Sequence, residues 1–135
     1  MKYMLIMNSP RDGYTQYMKW PRKILEANVA FMQAFSKKLK DAGELVGAEG
    51  LASPEQAKLV RAGKDGKPIT DGVFPESKEF LAGYWIVDVE SPERAYQLAA
   101  EVMAAPHDSV RSADGTPFNF GIEVREIMSG RQGPE

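Results

Sequence analysis

The sequence predicts an α+β fold: a ferredoxin-like βαββαβ antiparallel sheet with a hairpin insert and both helices on one face. Three observations carry this expectation. Helical periodicity appears in two well-separated segments, and alternating or β-branched runs occupy the intervals between them. The resulting order is strand, helix, strand, hairpin, strand, helix, strand, which is the split βαβ pattern. Length supports a single domain over 1–135, since a chain of 135 residues buries a core without staples.

The elements follow in order. Tyr3–Met7 is an apolar run of five residues after a lysine, too short for a signal-peptide core or a membrane span, and reads as the first strand of a cytoplasmic protein. From about Pro21 to Ala42, residues Ile24, Leu25, Val29, Phe31, Met32, Phe35 and Leu39 fall within an arc of roughly 160°. Gly43 is a suitable stop for that helix. Asn28 projects into the apolar arc, where a buried amide bonds to backbone. Trp20, just before Pro21, fits either a hydrophobic staple or a lid.

Leu45–Leu51 is the second strand. "SPEQA" at Ser53 opens at most one helical turn, because Gly63 and "GKDGK" follow too soon. Leu59–Arg61 and Pro68–Thr70 then form the hairpin. Leu81–Val89 is a strand apolar on both faces, Trp85, Val87 and Val89 opposing Tyr84 and Ile86. "SPERA" at Ser91 supplies an N-cap serine and a first-turn proline, and Ala95, Leu98, Ala99 and Val102 continue a helix to about Ala105. Phe120–Ile127 closes the sheet.

Two helices cover one sheet face only, yet the first strand and Leu81–Val89 are apolar on both. A second copy packed sheet on sheet, in the manner of a dimeric α/β barrel, is the economical cover, so a homodimer is expected; an edge loop is the alternative.

Composition narrows the function classes. A net charge of −2 and the absence of a basic block leave no electrostatic footprint for nucleic acid. With no cysteine, disulfides, thiolate catalysis and Cys-ligated metals are excluded. A single histidine, His107, does not make an imidazole-based metal site, so neither metal nor cofactor is expected. His107 follows the second helix, where an imidazole interacts with the helix C-terminus or, paired with Asp108, serves as an acid–base couple.

Candidate chemistry gathers between Ile69 and Glu90, in "ITDGVFPESKEFLAGYWIVDVE". Asp71-Gly72 is a turn, and the same turn can aim the Asp71 carboxylate into a cleft as a proton-transfer group. Glu76, Lys78 and Glu79 are either a solvated loop or, if inward, a Lys–Glu platform for a polar ligand. On the last strand Glu123 and Arg125 lie opposite Phe120, Ile122 and Val124; if the apolar set packs on the helices, the charged pair lies on the expected dimer face. Glu49 reaches the same region from the second strand. Edge salt bridges account for these charges, or they ring a polar pocket with Asp71 and Glu79.

The stretch "TDGVFPESKEFLAGYWIVDVESPERA" resembles the YCII-related, DGPF-type proteins, whose usual motif reads close to T-D-G-P-F-A-E-[ST]-K-E before a Gly-Gly-aromatic strand. Asp71, Gly72, Phe74, Glu76, Ser77, Lys78 and Glu79 keep that pattern, and Val73 and Pro75 depart from it. "MKYMLIM", "LVGAEGL" and "IEVREI" extend the likeness over nearly the whole chain. The resemblance implies a dimeric ferredoxin-like fold with a cleft, in proteins mostly without an assigned reaction and in some cases associated with alternative sigma factors. The His–Asp pair found early in YCII proteins proper has no histidine here to match it. Two function classes stand: a metal-free cleft for a small polar metabolite, with or without catalysis, and a non-catalytic dimeric regulatory module.

Overall fold

The computed structural model describes residues 1–72, 79–107 and 121–129. Six strands and three helices occupy them: β1 (Lys2–Ser9), α1 (Gly13–Met18), α2 (Arg22–Asp41), β2 (Leu45–Gly50), β3 (Lys58–Ala62), β4 (Pro68–Gly72), β5 (Phe80–Asp88), α3 (Pro92–Val102) and β6 (Ile122–Glu126). A single 3-10 turn, Pro54–Gln56, follows Ser53, whose hydroxyl accepts from the Glu55 amide. Four strands form one sheet in the order β2-β5-β1-β6, and β3 and β4 form a separate two-stranded ribbon. Every strand pairing is antiparallel. This α+β arrangement is compatible with the ferredoxin-like expectation.

The alternation read from the strands decides what is buried. Tyr3 and Leu5 of β1 and Trp85, Val87 and Val89 at β5 join Phe35 and Leu39 of α2 and Ala95, Leu98, Ala99 and Val102 of α3 in one core. Removal of this apolar surface from water is the main stabilising term. Phe35 meets Trp85 edge to face, centroids 5.6 Å apart. Ile122 and Val124 of β6 pack against the same core, which leaves Glu123 and Arg125 on the opposite face.

That opposite face has a definite register. One row across the sheet runs Glu49, Tyr84, Ile6, Glu123, and another sets Ile86 beside Met4 and Met4 beside Arg125. Its apolar members Met4, Ile6, Tyr84 and Ile86 are all half-buried.

Both long helices form where periodicity places them. Ser91 caps α3 by accepting from the Arg94 amide, as its sequence implies. On α2 the inward arc is turned slightly from expectation: Val29 is 41% exposed, and Asn28 is buried in its stead. Helix α1 has no counterpart in the sequence reading.

Candidate functional site

A cavity of about 880 Å³ lies at one end of the sheet, beneath the middle of α2. Its floor consists of helix-side residues from four adjacent strands: Met7, Ala48, Trp85 and Ile122. Asn28, Met32 and Ser36, spaced four apart along one stripe of α2, form the facing wall. Tyr14 and Tyr17 of α1 and the following Trp20 make a third side. Val102, Met103, Ala105 and His107 close the end beyond α3.

Local sequence explains why the chain opens a space here. The register of β1 against β5 slips between Met7 and Asn8, so the strand bulges before it ends. Asn8, Ser9 and Pro10 then turn along the cavity edge into α1. Gly13 starts that helix hard against the strand end: a Cβ there would lie 2.8 Å from Cβ of Ser9. Its amide donates to the Pro10 carbonyl at 2.9 Å.

The polar groups on the walls divide into committed and free. Asn28 Nδ2 donates to the Pro106 carbonyl at 2.8 Å, and Asn28 Oδ1 accepts from the Tyr17 hydroxyl at 3.3 Å. This side chain ties α2 to α1 and to the segment after α3, more than the single backbone bond expected of it. Burial raises the Tyr17 phenol above its ordinary pKa, with the nearby Tyr14 phenol adding to the effect, so the hydroxyl stays a neutral donor. Trp85 Nε1 donates to Ser36 Oγ at 3.3 Å. Trp20 packs against Tyr17 with centroids 4.9 Å apart, and its Nε1 is buried with no hydrogen-bond partner among the described residues. The His107 ring is exposed, its Nδ1 3.1 Å from the Ala105 carbonyl oxygen near the end of α3.

Glu49 stands apart from these. It is exposed and stands at the cavity rim, but the register puts its side chain on the sheet face away from the helices, opposite Ala48. Its cross-strand neighbour Tyr84 is likewise at the rim, with its side chain on that far face.

The other candidates named from sequence lie elsewhere. Asp71 sits on the β3–β4 ribbon, 2.8 Å from the Arg61 guanidinium, both side chains well exposed. The two are diagonal neighbours across the ribbon, since Leu59 faces Asp71 and Arg61 faces Ile69. Glu79 is exposed just before β5. Glu123 and Arg125 occupy the sheet face away from the helices and do not line the cavity. Glu76 and Lys78, and with them the centre of the charged stretch, lie outside the described residues, as does Asp108.

Tyr14, Tyr17, Met32 and Ser36 were not singled out as site residues from sequence. One signal was present: Asn28 and Ser36 place two polar side chains eight residues apart on the inward stripe of α2, with Met32 between them. Among the described residues no group of three or more His, Asp or Glu side chains is placed to hold a metal ion. No helix among them is long and apolar enough to cross a membrane.

Comparison with curated proteins gives no match. The family model for the YCII-related domain does match, and it spans residues 1–119, the region that contains β1 through α3, the ribbon and nearly the whole cavity wall. The protein therefore belongs to the YCII-related domain family.

Proposed function

We propose that this protein binds a small organic molecule with a largely apolar body in the cavity between α1, α2 and the strand ends. The observation that carries this reading is the cavity itself. Its 880 Å³ falls within the range of small-molecule sites, and aromatic and methionine side chains surround a few fixed polar groups. Of the expected polar cluster, Glu49 is the described member at the rim of this space, its side chain on the far face of the sheet. The site is thus more apolar than a carboxylate-ringed cleft, and the role of acid or base is not assigned to Asp71, whose carboxylate is engaged with Arg61.

The proposal includes a homodimer formed through the sheet face that carries Met4, Ile6, Tyr84 and Ile86. These side chains form an apolar strip bordered by Glu123 and Arg125, a surface that a second copy would cover.

Thermal unfolding of the protein with a library of small ring-bearing compounds tests the binding reading. A compound at one hundred times its Kd stabilises by about 2.7 kcal/mol. For a chain of this length that raises Tm by roughly 8–12 °C. The variant Ala48→Phe, which places a ring in the cavity floor, is expected to lose these shifts while keeping its circular dichroism spectrum. Shifts that persist undiminished in the variant put the ligand elsewhere, and a library without a single hit counts against a binding function.

A further inference from the structure

We infer that the molecule bound in this cavity presents a hydrogen-bond acceptor, a carbonyl or ether oxygen or an unprotonated ring nitrogen, to the indole N–H of Trp20. The inference rests on the binding reading above and specifies its ligand. It follows from which hydrogen-bonding groups of the wall are already spent.

Asn28 Oδ1 accepts from the Tyr17 hydroxyl, and Ser36 Oγ accepts from Trp85 Nε1. The side-chain oxygens of Asn28 and Ser36, both of which line the cavity from α2, thus already serve the protein. Their protons are less fully used. Asn28 Nδ2 has one of its two on the Pro106 carbonyl, and no described residue accepts from the Ser36 hydroxyl. Trp20 carries the extreme case. It borders the cavity between α1 and α2, its Nε1 is buried, and no described residue accepts from it. An indole N–H donates and never accepts, so only an acceptor satisfies it. Left unmade in a buried place, such a donor costs more than a typical hydrogen bond contributes net. Bulk water does not reach the group, so an entering acceptor has no hydration shell to displace from it. Trp20 belongs to neither helix, and a tilt of its ring brings the N–H onto an atom in the cavity. The amides of Asn8 and Gln33 also border the space; each donates and accepts, and they favour neither class of ligand. A ligand whose polar group accepts therefore satisfies Trp20. One whose polar group only donates buries a second unmatched proton beside it.

The test uses two probes of one shape: 2-acetylnaphthalene, and 2-isopropenylnaphthalene, in which a methylene replaces the carbonyl oxygen. Affinities are measured by isothermal titration calorimetry on the wild type and on Trp20→Phe, which keeps an aromatic ring and lacks the N–H. Circular dichroism verifies the fold of the variant. The probes also differ in hydrophobicity, so the quantity read is the ratio of their affinities, compared between the two proteins so that this difference cancels. The ratio is expected to favour the ketone about three- to tenfold more in the wild type than in Trp20→Phe, the range of one net hydrogen bond. Proton NMR of the wild type supplies a reading that needs no variant. The chain has two tryptophans and so two indole N–H signals, of which Trp85 is already bonded to Ser36. The ketone is expected to move the Trp20 signal downfield, and the alkene to leave it in place. An affinity ratio unchanged in folded Trp20→Phe, or indole signals that respond alike to both probes, overturns the acceptor assignment and leaves the binding reading standing. Failure of both probes to bind the wild type overturns both.

Discussion

At the scale of single residues, two carboxylate–guanidinium pairs show how burial decides what a pair contributes. Arg94 donates to both Glu44 oxygens, Nε at 2.9 Å and Nη2 at 2.8 Å, with side-chain exposures of 29% and 17%. The bidentate geometry fastens the start of α3 to the residue before β2. The hydrogen bond from Arg94 holds the Glu44 carboxyl below its ordinary pKa, and burial only partly offsets that. A depressed folded-state pKa means that this stabilisation is complete above the unfolded-state value of about 4.3 and disappears as pH falls through the folded value. Urea unfolding of the wild type and Glu44→Gln should show a wild-type lead at pH 7 that shrinks below about pH 4. A lead that stays constant down to pH 3 contradicts the pairing. Asp71–Arg61, with both partners more than half exposed, is in the class worth about 0–1 kcal/mol. Neither pairing was legible in the sequence. Glu44 and Arg94 meet only because β5 lies between their elements, and no local spacing encodes that.

At the scale of elements, β5 is the hub, paired with β2 on one side and β1 on the other. Gly83 makes the β2 side possible: a Cβ there would stand 2.9 Å from the Glu49 carbonyl oxygen, a backbone atom that cannot swing away. Gly83→Ala is expected to lower stability by about 1–3 kcal/mol through forced displacement of β2. A chemical denaturation midpoint unchanged from wild type would show that the strand edge yields more easily than the geometry implies. The long helices and all six strands were legible because each satisfies its own period over a sufficient length. Helix α1 was not. Its six residues are too few for an apolar stripe, and it has no side-chain N-cap. What places it is the bulge at Met7/Asn8 and the Gly13 contact, both tertiary events.

At the scale of the whole molecule, the sheet divides two kinds of surface, and the sequence disclosed one more readily than the other. Charges alternating with apolar residues on β6 give away which face they occupy, so Glu123 and Arg125 were placed on the face away from the helices, where the register puts them. The cavity side gave no such sign. Tyr17, Met32 and Trp85 have the composition of core, and a chain cannot announce that the space among its core residues is left open. Sedimentation equilibrium should find the wild type dimeric and Ile6→Glu monomeric with unchanged helix content, because Ile6 lies mid-row on the proposed interface. A monomeric wild type at micromolar concentration refutes the sheet-on-sheet association.

The chain has two tryptophans, Trp20 and Trp85, and both border the same cavity. One indole N–H donates to Ser36, and the other has no hydrogen-bond partner among the described residues, so the two rings have different polar surroundings. All of the indole emission of this protein thus originates at the walls of one chamber. Its wavelength and its quenching report what enters that chamber without a dye, a label or a mutation, with no background from indoles elsewhere in the chain.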